Sequence, residues 1–288
     1  MATSAKVVLI TGCSSGIGLA TAILLAKDEN QRFSVYATVR NKRNAEELET
    51  EAKDLLGKTL FIKELDVTSV ALINEVVDEI IGARGRIDVL VNNAGIGLFG
   101  AIETIPVEKI KAVLATNVYG PINLTKKVIE TWKKDTFGHI VMISCVAGLI
   151  GIPFNSVYSA SKFALEGFTE ALVSEYKDKN LRVSIIEPGP VKTNFIESVT
   201  ENSSQLCQLT NIDQQTKETM NLFIDKSNAR IITMGQTPED IAEYVFRAVT
   251  GSCQQLRYQT NKVYSTAIEQ KLNDRTGWSS YDIIQKYI

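Results

Sequence analysis

The chain has 288 residues, with 31 Lys and Arg against 33 Asp and Glu and a net charge of −2. A composition of 44% hydrophobic and 22% charged residues is that of an ordinary globular protein, which excludes disordered, collagen-like and disulfide-stapled classes. Near-neutrality also excludes the basic footprint that a phosphate polymer requires, so nucleic acid is not expected as a partner.

The first apolar run, Val7-Val8-Leu9-Ile10, breaks at Thr11-Gly12 and is too short for a signal peptide or membrane span, which points to a cytoplasmic protein without a transmembrane segment. Cys13, Cys145, Cys207 and Cys253 are scattered without zinc spacing and read as free thiols, and no metal site is expected. The single histidine, His139, opens an apolar run and reads as a strand-end residue, so no histidine-based triad is available.

Strands are expected at Val7–Thr11, Phe33–Val39, Thr59–Lys63, Ile87–Val91, His139–Ser144, Arg182–Glu187 and Gln255–Gln259. Helical patterns fall between them at Gly16–Lys27, Asn44–Leu56, Ser69–Ile81, Val107–Trp132 and Ser156–Tyr176. This alternation implies right-handed crossovers and a parallel sheet buried on both faces, as the uniformly apolar strands demand. The expected fold is a three-layer, doubly wound α/β sheet of Rossmann type, in one domain spanning residues 1–288. Residues 193–237 thicken in Asn, Ser, Gln and Thr and read as a substrate-binding loop or lid. Thr237-Pro238-Glu239-Asp240 then starts a helix, with Thr237 as N-cap, and a polar extension closes the chain over residues 260–288.

Directly after the first strand comes Thr11-Gly12-Cys13-Ser14-Ser15-Gly16-Ile17-Gly18. Glycines at this place permit a tight turn, let backbone approach a pyrophosphate and open a helix whose N-terminus presents free N–H donors. The second strand ends in Tyr36-Ala37-Thr38-Val39-Arg40, without the carboxylate that would accept a ribose hydroxyl. Arg40 offers a fork to a 2′-phosphate, with Ser15 as a nearby donor, so NADP(H) is expected over NAD(H). Asn92-Asn93-Ala94-Gly95 and Pro188-Gly189-Pro190-Val191-Lys192-Thr193 fall at later strand ends, on the ligand side of the sheet. In Tyr158-Ser159-Ala160-Ser161-Lys162 the four-residue step puts the phenol and the ammonium on one helix face. The ammonium and an oxidised nicotinamide would together stabilise the phenolate, fitting Tyr158 for proton exchange with a substrate oxygen.

Taken in order, Thr11-Gly-x-x-x-Gly16-x-Gly18, Asp66, Asn92-Asn93-Ala94-Gly95, Asn117, Tyr158-x-x-x-Lys162 and Pro188-Gly189 resemble the short-chain dehydrogenase/reductase family over roughly residues 6–195. Pro153-Phe154-Asn155, Ser161-Lys162-Phe163-Ala164-Leu165-Glu166-Gly167 and Gly235-Gln236-Thr237-Pro238 are similar to the branch that holds photoreceptor retinol dehydrogenases and estrogenic 17β-hydroxysteroid dehydrogenases. The resemblance implies Tyr158 as general acid/base, Lys162 on the nicotinamide ribose, and Asn117 shaping the active-site helix and a water relay. It further implies Asp66 and Val67 on the adenine, and Asn93, Ala94, Gly95, Pro188, Gly189, Val191 and Thr193 along the cofactor. The family's substrate-binding serine falls on Cys145 here. Either that thiol, a weak donor, does the task poorly, or Ser144 substitutes, or turnover is compromised.

The segment Phe223-Ile224-Asp225-Lys226-Ser227 lacks the histidine that the resemblance associates with steroid recognition. A long apolar alcohol or carbonyl is therefore expected, retinol and retinal first, with Leu149, Ile150, Pro153, Phe154, Val191, Phe195, Leu222 and Phe223 as walls. A 17β-hydroxysteroid or general carbonyl reductase is the alternative, and a non-catalytic NADP(H)-binding module the reading from another class. The resemblance also implies a homodimer paired through the helices of Val107–Trp132 and Ser156–Tyr176. A lipid-like substrate would suit peripheral membrane contact through the C-terminal tail, although the tail's polarity lends this little weight.

Overall fold

The computed structural model describes residues 5–132, 137–176, 180–195, 212–252 and 255–287, so Cys207, Cys253 and residues 196–211 of the expected lid lie outside it. Seven parallel strands run in the order β3-β2-β1-β4-β5-β6-β7: β1 Lys6–Ile10, β2 Phe33–Val39, β3 Leu60–Glu64, β4 Val89–Asn92, β5 Gly138–Ile143, β6 Leu181–Glu187 and β7 Arg257–Gln259. The pleat sends alternate side chains to opposite faces, and both are covered. Val8 and Ile10 pack with Val35, Ala37 and the helices α1 (Gly16–Ala26) and α8 (Pro238–Thr250). Val7 and Leu9 pack on the other side with α3 (Val70–Arg84) and α5 (Gly120–Thr131), where Ile140 and Met142 meet α6 (Ser156–Glu175). Such double burial explains why the central strands carry no polar alternation.

Chain order reverses between β1 and its neighbours β2 and β4. At that switch the following loops diverge and leave a crevice beyond the carboxyl ends of the strands.

Several helix ends follow the local chemistry of the sequence. Thr237 and Asp240 form the reciprocal capping box of α8, with Pro238 in its first turn and Gly251 closing it at φ +80°. Ser69 caps α3 by accepting from the Leu72 N–H.

Four expected stretches differ. The helix expected over Asn44–Leu56 shrinks to α2, Glu46–Glu51, because the chain turns to let the Leu55 carbonyl accept from the amides of Lys58, Thr59 and Leu60. The pattern of Val107–Trp132 splits into α4 (Val107–Leu114), a π-helical turn over Ala115–Tyr119, and α5. Pro121 has no N–H to offer the Asn117 carbonyl, which removes one rung of the α-helical ladder at the place where the turn widens. Within the polar stretch read as a loop, α7 runs Gln214–Met234, capped by Asp213. The polar tail forms α9 (Lys262–Asn273) and α10 (Ser279–Tyr287), and α9 packs Tyr264, Ala267 and Ile268 against Val146 and Ile150.

Candidate active site

A cleft of about 910 Å³ opens at the carboxyl ends of the strands. Its floor is the glycine turn between β1 and α1. Gly12, at φ +71°, approaches Ala94 so closely that a Cβ would lie 2.9 Å from the Ala94 Cα, and a Cβ on Gly18 would lie 2.2 Å from the Gly12 carbonyl oxygen. The turn is stitched to the β4 loop: Asn93 Nδ2 donates to the carbonyls of Thr11 and Gly12 at 2.8 and 2.9 Å, and the amides of Asn93 and Ala94 donate to Thr11 Oγ1 at 3.0 Å each. Ser15 precedes α1 without a side-chain cap, so amides at that helix start remain available to a ligand. The cradle that a Cβ would fill, the uncapped helix and the hydroxyls of Ser14 and Ser15 fit a bound pyrophosphate.

Gly12, Ser14, Ser15, Gly16, Ile17, Arg40, Asp66, Val67, Asn93, Ala94, Gly95, Pro188, Gly189, Val191 and Thr193 all line this one cleft. Gly18 does not; its role is contact between helix and turn. Arg40 is solvent-exposed at the cleft's edge beside Asn44 and has no ion pair among the described residues. Asp66 commits one oxygen to the backbone amide and hydroxyl of Thr68, at 2.9 and 2.7 Å.

Tyr158 and Lys162 face the cleft one turn apart on α6. Lys162 Nζ donates to the Ile143 carbonyl at 2.9 Å and lies 5.8 Å from the centre of the Tyr158 ring, which also meets Phe195 with ring centres 5.8 Å apart. Burial is the dominant influence on both groups: it pushes the Tyr158 phenol well up, with Cys145 raising it further, and pulls the Lys162 ammonium down. Among the protein groups alone, burial outweighs any lowering of Tyr158 by Lys162; the expected stabilisation of the phenolate joined the ammonium to an oxidised nicotinamide.

Asn117 sits in the π-helical turn, 1% exposed and off the cleft wall. Its Oδ1 accepts from the Ile96 amide, and its Nδ2 donates to the Ile96 carbonyl at 2.9 Å and to Ser161 Oγ at 3.0 Å. Ser161 Oγ donates to the Tyr158 carbonyl at 2.6 Å, so Asn117 braces the helix turn that carries Tyr158.

The Cys145 thiol is within hydrogen-bonding influence of the Tyr158 hydroxyl, and burial pushes its pKa up, keeping it a neutral donor. Ser144 also borders the cleft, but its hydroxyl lies beside the Glu166 carboxyl without closing a well-formed hydrogen bond: Ser144 Oγ and Glu166 Oε1 are both buried with no partner among the described residues. Of the two candidates, Cys145 is the one that faces the phenol.

Behind them lies a cluster that the sequence did not reveal. The Arg257 guanidinium on β7 pairs with Glu166, with Glu187 at 2.5 Å and with Glu170 at 2.5 Å, and the first two carboxylates are almost fully buried. One guanidinium cannot neutralise three carboxylates, so burial raises Glu166 and holds Glu187 up at about 7. The pairing of Ile185 with Arg257 brings Arg257 beside Glu187, and α6 supplies Glu166 and Glu170 from the covering layer.

The substrate side is aromatic. Phe99, Phe154 and Phe223 form a trio with ring centres 5.7, 5.8 and 6.0 Å apart, which ties α7 to the loops after β4 and β5. Phe195, Phe223 and Val191 line the cleft as expected, and Phe154 supports it from behind. Leu149 and Ile150 instead pack with Tyr264 and Ile268, Leu222 is exposed, and Pro153 is not part of the wall. Ile152, between Ile150 and Pro153, does line the cleft, and Phe154 takes φ +59° with its carbonyl accepting from the Gly100 amide. Phe99, Ile224, Ile231 and Arg230 line the cleft without having been foreseen. His139 is buried inside the sheet, its Nε2 3.0 Å from Ser184 Oγ, and burial pulls its pKa down to about 3.

Residues 6–204 match the family described as short chain dehydrogenase. The chain is 40% identical over 278 residues to retinol dehydrogenase 8 of Bos taurus, covering 96% of this chain and 88% of that protein. It is 37% identical over 276 residues to 17-beta-hydroxysteroid dehydrogenase type 1 of Homo sapiens, covering 94% and 82%. A short chain dehydrogenase/reductase of Burkholderia phymatum, solved in complex with NAD, superimposes with a TM-score of 0.79 at 20% identity, covering 95% of each chain. Among the described residues no helix is long and apolar enough to cross a membrane.

Proposed function

The chain belongs to the short chain dehydrogenase family of oxidoreductases, and from that premise we propose that it is an NADP(H)-dependent enzyme interconverting an apolar alcohol and its aldehyde or ketone, with retinol and retinal as the first candidate pair. The observation that carries this is the convergence of Tyr158, Lys162 and Cys145 with the glycine turn on one cleft whose other walls are aromatic. Similarity to a retinol dehydrogenase supports the retinoid reading. Similarity to a 17-beta-hydroxysteroid dehydrogenase keeps the steroid reading as the alternative.

The residues fit a nicotinamide dinucleotide in a definite order. Gly12, Ser14, Ser15, Gly16 and Ile17 would hold the pyrophosphate, Arg40 the 2′-phosphate, and Asp66 and Val67 the adenine. Asn93, Ala94, Gly95, Pro188, Gly189, Val191 and Thr193 would hold the nicotinamide half. Bound there, the cofactor supplies or accepts the hydride.

The chain's own part is proton handling and orientation. In reduction, the Tyr158 hydroxyl gives its proton to the oxygen of the substrate carbonyl; in oxidation, the phenolate takes it from the alcohol. Lys162, whose ammonium donates to the Ile143 carbonyl and keeps two further N–H donors, would hold the nicotinamide ribose and favour the phenolate through its positive charge. Cys145 donates weakly to the same substrate oxygen. Asn117 holds the Tyr158 turn in place through Ser161. A cytoplasmic homodimer paired through the helices of Val107–Trp132 (α4 and α5) and through α6 belongs to the same proposal.

The test is turnover of all-trans-retinal, estrone and a simple aromatic aldehyde in parallel, each with NADPH and with NADH. Retinal reduction preferring NADPH supports the reading. Preference for estrone moves it to the steroid alternative, and preference for NADH removes the role given to Arg40.

A further inference from the structure

The substrate end of the cleft is not wholly apolar. Among its carbon walls, α7 puts Arg230 into the lining, half-buried and without an ion-pair partner among the described residues. Tyr264, in the first turn of α9, lines the same space; it is 5% exposed, and a Cβ built on Gly189 would lie 3.2 Å from its ring. Its hydroxyl makes no hydrogen bond to another described residue. Burial raises that phenol, while the Arg230 charge pulls it down and Cys145 raises it, so Tyr264 is within electrostatic reach of both. It shares the cleft lining with both Cys145 and Arg230. Ser227 and Asn228, one turn earlier on α7, complete a polar corner in an otherwise aromatic pocket.

A guanidinium keeps its charge at any working pH, and burying it against a purely hydrocarbon ligand costs hydration with nothing in return. Its planar fork matches a carboxylate, and a phenol hydroxyl beside it supplies a further donor. We propose that the preferred substrate is an apolar alcohol or carbonyl compound that also carries a carboxylate, bound by Arg230 and Tyr264, as an oxo or hydroxy fatty acid would be. This rests on the oxidoreductase reading above and, within it, departs from the retinol and retinal pair, neither of which carries a carboxylate. The tightly packed apolar walls of Phe99, Phe223 and Ile231 would hold the carbon body.

The experiment compares matched pairs at saturating NADPH: azelaic semialdehyde with its methyl ester, and para-formylbenzoic acid with its methyl ester. The wild type is expected to favour each acid by about ten-fold or more in kcat/KM, mainly through KM, as a charge-assisted hydrogen bond supplies. Arg230→Met collapses that ratio toward one, Arg230→Lys keeps part of it, and Tyr264→Phe lowers it less. Calorimetry of decanoate against decanol on the NADPH complex gives a readout independent of chemistry, with decanoate preferred in the wild type and not in Arg230→Met. Turnover of both members of each pair at equal efficiency overturns the carboxylate site and leaves the oxidoreductase reading intact. Loss of NADPH affinity in Arg230→Met, with the acid-to-ester ratio unchanged, also overturns it by assigning the guanidinium to a cofactor phosphate. Acid-selective binding without any turnover supports the site and counts against the oxidoreductase reading.

Discussion

Replacing Cys145 by serine changes one atom at the reacting centre. The backbone there is pinned on both sides: the Val146 amide donates to the Pro188 carbonyl at 2.9 Å, and the Gly148 amide to the Cys145 carbonyl at 2.8 Å. Sγ→Oγ therefore alters the donor without moving it. Burial keeps the thiol neutral and a poor donor, whereas a hydroxyl bonded to a charged oxygen contributes about 1.5–3 kcal/mol net. Taking half of that as the gain over a thiol gives about 0.75–1.5 kcal/mol in the transition state, or roughly four- to thirteen-fold in kcat with little change in KM. The assay is steady-state reduction followed by NADPH absorbance, with NADPH affinity and thermal unfolding measured alongside. Cys145→Ala and Ser144→Ala separate the two candidates: the first should cost turnover and the second should not. A ten-fold fall in Cys145→Ser, with folding and NADPH binding intact, would refute the carbonyl-binding role and give the thiol a task of its own.

Two other perturbations follow from the geometry. Arg40→Asp removes the fork expected to meet a 2′-phosphate and adds repulsion, so the NADPH-to-NADH ratio of kcat/KM should fall by at least about ten-fold; an unchanged ratio would place phosphate recognition elsewhere. Glu187 is fully buried and holds its proton up to about 7 against an ordinary 4.5, so the folded state binds that proton more tightly than the unfolded one. Its contribution is complete below pH 4.5 and is lost as pH rises through about 7, an effect on the order of 3 kcal/mol. Glu187→Gln mimics the protonated carboxyl, so urea unfolding should show the variant gaining on the wild type between pH 5 and pH 8, and a difference independent of pH would contradict the assignment.

The central strands were legible because burial on both faces leaves no room for polar alternation, as in Val7-Val8-Leu9-Ile10. The glycine turn was legible because close backbone contacts forbid a Cβ at Gly12 and Gly18, and the acid/base pair because a four-residue step on a helix is a spatial statement. What escaped depended on tertiary partners. α7 buries Met220 almost alone and is held by Phe223 against Phe99 and Phe154, so its own residues read as loop. The break at Asn117 lies inside a continuous helical pattern, and only Pro121 hints at it. The Glu166–Glu187–Arg257 cluster joins residues 91 and 70 positions apart, which no local pattern encodes. The expected walls at Leu149 and Pro153 stand out of the cleft while Ile152 between them lines it, a residue-by-residue distinction set by a backbone in which Phe154 takes a positive φ that a phenylalanine seldom adopts.

The most direct measurement is retinal reduction by Tyr158→Phe, with NADPH binding followed by fluorescence on the same preparation. Loss of the hydroxyl removes the proton donor and leaves the ring against Phe195. The account predicts turnover reduced by about a hundred-fold or more with NADPH affinity and folding unchanged. Turnover that survives the substitution would mean that the proton comes from another group and that the cleft works by a different chemistry.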